Sequence, residues 1–504
     1  MKWKLTTLLI FTGIVCSTGC KKFLTVQPVD KLSGNAFWKT EADAESYISD
    51  MYGQFRDKLS STSFIAASGE LRSGQVKMSP ETDDPVRRAY IDIAGQNDLL
   101  ALIAPNAKWN TTNFNFPSMT KWKEFYRVIQ SANIMEKELG TRTIQDFSKS
   151  DADRYIAEAV FIRCMTYLFL VRLYGDVPYY TEAYLSAPLG RTNMVTVINN
   201  CIADLEQRQN DLPWTYKDPS KRAVRATKGG ALALLMYMHM WNAGFDPGKK
   251  QEHFEKAAAL GKELIASRSY KLLPIEEFHN IFKGRSEEGL VEIAQNYNYN
   301  ETLSLYASFS DMLLHVPFKS GHKFSMGFFR ADFLRMLYPD GEQDARRLLW
   351  FDQNMMADNG RFMFLKFTNI YAHAGEGGNP DDNVIIFRYA GAILMTAEAM
   401  LETGKTEEAV QLLNMVRDRA GAPRFIPSGI DALRQAVYIE QAKELMGEGV
   451  YYFDLVRTGR VMDQQWCNSP LTADQFARGG WTWPLAPSVM DNNPLMTLNA
   501  YWTN

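Results

Sequence analysis

The chain has 504 residues, 46% of them hydrophobic, and a formal net charge of -3. Length and apolar content suffice for a large core and permit more than one domain. A near-neutral surface excludes a nucleic-acid binder, which needs a basic face to displace counterions from phosphate.

Residues 1–19 read as a signal peptide, with Lys2 and Lys4, an apolar core from Leu8 to Val15, then Ser17, Thr18 and Gly19. The apolar run is too short for a membrane span. Small residues directly before Cys20 resemble a bacterial lipobox, in which Cys20 becomes the acylated first residue, although Ser17 stands where an aliphatic residue is usual. The alternative is an ordinary signal peptide that contains a cysteine. Residues 20–36 then form the lipidated tether, and no later stretch approaches the roughly 18 uninterrupted apolar residues of a transmembrane helix. The remaining Cys164, Cys201 and Cys467 are an odd trio at wide spacing, which is no disulfide framework; the first two fall on apolar helical faces and read as buried thiols.

Folded structure is expected from residue 37, with an N-terminal helical region over 37–269 and a C-terminal region over 270–504. Thr40 to Asp43 form a capping box for a helix carrying Ala44, Tyr47, Ile48, Met51 and Phe55 on one side. Residues 60–120 are rich in Ser, Gly, Pro, Asn and Asp, and the Asp84–Pro85 step is read as a helix breaker. Within this stretch, PNAKWNTTNFNF sets Trp109 among Asn110 and Asn113, a composition suited to sugar: a ring stacks on pyranose C–H faces while amides hydrogen-bond hydroxyls. The competing reading is a tryptophan that merely pins the loop to the core.

Helical periodicity returns with Trp122, Phe125, Ile129 and Ala132. A longer helix, apolar nearly all round from Val160 to Tyr174, follows, in which Arg163 and Arg172 need partners. Ile198 to Leu205, Ala231 to Trp241 and Phe254 to Ile265 add further helices. The segment from Arg388 to Gly421 reads as two helices joined at Gly404, with Thr406 placed to cap the second. The hairpins match the helix-turn-helix of a tetratricopeptide repeat but share no fixed period. The predicted fold is all-α: a tetratricopeptide-like hairpin scaffold with large loop-rich insertions and a few short strands. The main insertion, 270–383, holds a second aromatic and amide cluster with Tyr297 and Tyr299, and a Gly375 to Asn383 turn that lacks the spaced ligands of an EF-hand loop.

Four segments together are similar to the SusD/RagB family of nutrient-uptake lipoproteins. They are AEAVFIRCMTYLFLVRLYGDVPYY from 157, RATKGGALALLMYMHMW from 225, the hairpin ending in LLNMVRDRAG, and IEQAKELMGEGVYYFDLVRTGR from 439. The last carries Glu440, Glu444, Glu448, Gly449, Asp454, Leu455, Arg457 and Gly459 at the signature positions, with Gln441 and Tyr451 where Arg is common. The resemblance implies a helical fold, outer-membrane anchoring through Cys20, a SusC-like TonB-dependent transporter as partner, an oligosaccharide or polysaccharide ligand, and no catalytic residues. Read physically, the three glutamates lie at i+4 steps and can receive Arg457, Arg417 or Arg419 from adjacent elements.

No G-x-S-x-G elbow, H-E-x-x-H pair or Walker loop occurs, and the six histidines show no metal-ligand spacing, so no metal and no cofactor is expected. Three other readings remain open: a lipid-anchored glycoside hydrolase, since a carboxylate pair leaves no sequence signature; a purely structural tetratricopeptide adaptor, which would not need the aromatic and amide clusters at Trp109 and Tyr297; and a family member that binds peptide or another nutrient. The expected ligand residues are Trp109, Asn110, Asn113, Tyr297 and Tyr299, with Arg72 as an added hydroxyl or carboxylate contact if it is not held in a structural ion pair.

Overall fold

The computed structural model describes residues 37–60, 63–82, 85–104, 115–142, 144, 147–296, 309–368, 382–485, 489–491 and 493–503. Helices dominate, as the periodicity predicts. In chain order they are α1 (Glu41–Ser60), α2 (Phe64–Gly69), α3 (Pro85–Gly95), α4 (Leu99–Ile103), α5 (Lys123–Thr141), α6 (Lys149–Tyr174), α7 (Met194–Arg208), α8 (Lys228–Phe245), α9 (Lys250–Ala266), α10 (Tyr389–Glu402), α11 (Thr406–Arg419), α12 (Ile430–Glu444) and α13 (Tyr451–Arg457), with shorter turns between them. Strand β1 (Val76–Met78) pairs antiparallel with β3 (Gly327–Phe329), Val76 opposite Phe329. Strand β2 (Gly289–Ile293) pairs antiparallel with β4 (Val384–Arg388), Ile293 opposite Val384. Among the described residues no helix is long and apolar enough to cross a membrane.

Local chemistry sets the boundaries. Asp43 N donates to Thr40 Oγ1 at 3.3 Å while Thr40 N donates to Asp43 Oδ2 at 2.8 Å, the reciprocal cap expected for α1. Ser148 caps α6 through Asp151 N, and Thr227 caps α8 through Gly230 N. Thr406 does not cap α11; it is the first helical residue, behind Lys405, whose side chain makes no cap bond. Pro85 opens α3 instead of breaking it, because proline's missing N–H costs nothing in a first helical turn, and Tyr90, Ile91 and Ala94 then bury one face.

Helices α6, α8 and α10 form the middle of the core. Every residue from Tyr155 to Tyr174 is buried, as is every residue from Gly229 to Ala243, and α10 is buried from Tyr389 to Leu401 except at Glu398. Arg163 finds Asn133, Glu136 and Asp204. Among the described residues Arg172 finds no carboxylate: its guanidinium lies 5.2 Å from the Tyr237 ring centroid and 5.2 Å from that of Phe453, and its Nε makes no hydrogen bond. Burial pushes it down to about 10, with Tyr237 and Asp454 opposing the shift. Cys164, Cys201 and Cys467 are buried free thiols, and the Cys164 Sγ lies 3.4 Å from the Cys201 carbonyl oxygen.

A second buried polar contact joins α8 and α9, where His239 Nδ1 and His253 Nδ1 lie 2.9 Å apart and neither Nε2 has a hydrogen-bond partner. One ring must donate and the other accept, so full protonation of both breaks the contact. Burial, with the His253 charge, lowers His239 from its ordinary 6.5 to about 3, and burial lowers His253 as well. The unfolded chain therefore takes up protons that the folded chain refuses, and stability falls as pH drops below about 6.5, by up to about 1.4 kcal/mol per pH unit from His239. The loss in urea midpoint between neutral and mildly acidic buffer is expected to be smaller in His239→Leu than in the parent. Equal losses in the two proteins would show that the pair does not titrate on unfolding.

Candidate functional site

Of the sequence-predicted ligand residues, Trp109, Asn110, Asn113, Tyr297 and Tyr299 lie outside the described residues, as does Cys20. Arg72 is described, and it is not available to a solute. It is 2% exposed; Nε and Nη2 donate to Asn97 Oδ1 at 2.8 and 2.7 Å, and Nη1 donates to the Trp481 carbonyl at 2.6 Å. The guanidinium also lies 4.3 Å from the Tyr452 ring centroid. Its partners are carbonyl and amide oxygens, so it clasps the N-terminal part of the fold to the residues near 481 without an ion pair.

What can be built residue by residue is the frame from which the candidate loops depart. The chain leaves the described region at Asn296 and returns at Phe309, and leaves again at Thr368 and returns at Asp382. These roots are fastened together. Gln295 Nε2 donates to the Asp382 carbonyl, Gln295 N donates to Asn383 Oδ1 at 3.3 Å, and Asn383 Nδ2 donates to Glu292 Oε2 at 2.7 Å. Burial pushes the Glu292 carboxyl up to about 7, only partly offset by the Asn383 amide and the backbone N–H of Arg285. His279 Nδ1 lies 2.7 Å from the Thr368 carbonyl oxygen.

The turn after α12 connects the roots to the rest of the frame. A Cβ on Gly447 would sit 2.7 Å from Phe367 and 3.1 Å from Phe309, one aromatic from each root. Gly449 in turn meets α2: a Cβ on Gly69 would stand 1.9 Å from the Gly449 carbonyl oxygen, and Gly449 N donates to Glu70 Oε1 at 2.7 Å. At the other end of α2, the Phe64 ring packs 5.4 Å from Trp483, which packs 5.1 Å from Phe116. Phe116 adjoins Asn115, where the chain re-enters after the stretch holding Trp109. One short helix thus ties the roots of all three loops.

The frame is held by the glutamate signature, with Arg417 and Arg419 among its partners as the sequence suggests, but not Arg457. Helix α12 ends at Glu444, so Glu448 belongs to the following turn and not to the same helical face. Glu440 receives Arg417 and Arg346, while Glu444 receives Arg346, Arg388 and Arg419. Glu448 receives Lys366 and Arg388 at 2.7 Å. Arg457 instead makes a bidentate pair with Glu398 at 2.7 and 2.8 Å and also holds Asp454. Gln441 joins that cluster by donating to Glu398 Oε2 at 2.9 Å, so the departure from Arg is absorbed. Arg346, Lys366, Arg388 and Glu288 were not legible as members; each lies 56 or more residues from the glutamates it meets or is matched with, except that Arg388 marks the start of a helix.

Burial raises the Glu444 carboxyl, but Arg419, Arg388 and Arg346 outweigh it and hold it well below its ordinary value. Burial lowers Lys366 to about 8 against the pull of Glu448. With Arg346, Arg388, Glu440 and Glu444 all at most 2% exposed, this is a water-free ionic knot, suited to fixing segments and not to acid–base chemistry on a bound substrate. Lys366 Nζ donates to the carbonyls of Glu444 and Met446, both at 2.8 Å, and so locks the Gly447 turn beneath the loop roots. Among the described residues no group of three or more His, Cys, Asp or Glu is placed to hold a metal ion.

Comparison with known proteins gives the same frame a family. A model described as the SusD family matches residues 351–502, and one described as "Starch-binding associating with outer membrane" matches residues 30–238. The crystal structure of a SusD homolog from Bacteroides thetaiotaomicron is 36% identical and superposes with a TM-score of 0.84 over 92% of this chain and 98% of its own. The chain belongs to the SusD family. A curated relative, SusD-like protein P25 of Formosa agariphila, is 25% identical with 91% of each chain covered. A laminarin-binding SusD-like protein shares the fold at 21% identity, with a TM-score of 0.68 over 92% of this chain and 99% of that one. At the level of the family, one matching model is named for starch binding and association with the outer membrane, and one solved relative for binding laminarin.

Proposed function

We propose that this SusD-family protein captures oligosaccharide at the cell surface, held by an acyl chain on Cys20, and passes it to a SusC-like TonB-dependent transporter. The ligand is gripped by Trp109 with Asn110 and Asn113, and by Tyr297 and Tyr299. The observation that carries the reading is the convergence on α2 and the Gly447 turn of the roots of the segments that hold these residues. A rigid base under aromatic, amide-rich loops suits ring stacking with a few hydrogen bonds, which holds a sugar yet releases it. The composition of both clusters and the family's glycan binding support the same assignment.

The test is affinity electrophoresis through starch and laminarin, followed by calorimetry on the retained glycan. The native protein is expected to be retarded without shortening the glycan. Trp109→Ala should weaken binding by about tenfold, the loss of one main stacking ring. Release of shorter sugars would make it a glycoside hydrolase, and retention of peptides alone would make it a peptide binder. Native affinity in folded Trp109→Ala and in Tyr297→Ala, Tyr299→Ala would move the site elsewhere.

A further inference from the structure

A concavity of about 550 Å3 opens among α5, α6, α7 and the segment that follows Val177, lined in part by Asn133, Glu136, Lys137, Arg163, Tyr184 and Asp204. Its volume lies in the ordinary range for small-molecule sites. Tyr184 is 55% exposed, the posture of a platform and not of a core residue. The ring is pinned: its hydroxyl donates to Glu138 Oε1 at 2.7 Å, and Lys137 Nζ lies 4.7 Å from the ring centroid on one face. What it still offers is flat apolar surface.

Beside the ring, Arg163 fixes two carboxylates by one oxygen each, Glu136 Oε2 and Asp204 Oδ2. Their side chains are 31% and 30% exposed, and among the described residues Glu136 Oε1 and Asp204 Oδ1 make no hydrogen bond. These are acceptors held in place with a lone pair to spare, next to an aromatic face. Glu136, Glu138, Glu182 and Asp204 outweigh Lys137, Arg142 and Arg163 in charge, so an anionic sugar is repelled while hydroxyl donors are welcome.

We propose that Tyr184, Glu136 and Asp204 form a second saccharide subsite, which takes one neutral pyranose ring of a longer glycan by stacking and by hydroxyl donation to the two carboxylates. The proposal rests on the glycan-capture reading for its ligand class. The subsite lies about 20 Å along α5 from that helix's first turn, which follows Asn115 by eight residues in sequence, so a polymer held at both places would gain retention by avidity.

The probes are methyl α- and β-glucopyranoside, methyl mannoside and methyl galactoside, with methyl glucuronide as the anionic control, read by saturation-transfer NMR. In Trp109→Ala, transfer to a neutral glycoside is expected to persist, to survive a further Tyr184→Phe, which keeps the ring, and to vanish with a further Tyr184→Ala. Transfer that survives Tyr184→Ala, disappears with Trp109→Ala alone, or is equal for the glucuronide overturns the subsite and leaves glycan capture standing. No transfer to the native protein, with starch or laminarin still retarding it, has the same meaning. No transfer and no retardation overturn both.

Discussion

Arg388→Ala is expected to lower the unfolding free energy by at least about 3–5 kcal/mol, measured as the urea unfolding curve of the folded fraction. Arg388 donates to Glu288, Glu444 and Glu448 at 2.7–2.8 Å and to the Glu444 carbonyl at 2.6 Å, all away from water. Removing it strands buried carboxylates, which costs far more than the net worth of any one pair. Arg388→Lys should recover little, since one ammonium cannot span three carboxylates. Acid should mimic part of the loss. Glu444 is held below its ordinary 4.5, so its contribution is full above that pH and disappears as pH falls through the lower folded value. A folded Arg388→Ala protein within about 1 kcal/mol of the parent would show that the knot is replaceable.

Gly69→Ala is expected to cost about 3 kcal/mol or more and to weaken glycan binding in whatever fraction still folds. The added methyl would stand 1.9 Å from the Gly449 carbonyl oxygen and 2.2 Å from its carbon, a collision of backbone with backbone that no rotamer change relieves. Gly449 itself has φ +77°, so the turn has little freedom to retreat. Separating α2 from that turn also loosens Phe309 and Phe367 above Gly447. Unfolding by urea reads the first effect and calorimetry the second; a normal midpoint would mean that α2 can slide without penalty.

The sequence made the helices legible where one face is apolar and the end is capped, as at Thr40; the caps at Ser148 and Thr227 emerged only from the structure. It misled at Pro85, where the same residue type that stops a helix also starts one, and only burial of Tyr90 and Ile91 decides between them. The glutamates of the knot were visible because i+4 spacing is local. Of their cations Arg417 and Arg419 were visible nearby, but Arg346 and Lys366 were not, because they meet Glu440, Glu444 and Glu448 across 78 to 98 residues, and no local pattern encodes that. Arg72 drew attention as a candidate hydroxyl or carboxylate contact, yet besides Asn97 its acceptors are backbone carbonyls 408 and 409 residues away. Tyr184 carried no signal at all: a lone tyrosine between helices acquires meaning only when Lys137 and Glu138 arrive beside it.

The clasp between the two ends of the chain also sets an order on folding. Glu70 waits for the amide of Gly449, 379 residues later, and Arg72 for the carbonyls of Gly480 and Trp481. Contacts of such separation demand that the loop-closure entropy of nearly the whole chain be met before they form. The helical hairpins of the first half can assemble early from neighbours in sequence, but the frame around α2 cannot set until the last part of the chain has emerged and docked. A chain stalled or cut before that point would retain helix while exposing Glu70, Arg72 and the faces of Phe64 and Phe116 that Trp483 covers, which is the kind of species that proteases and aggregation remove first.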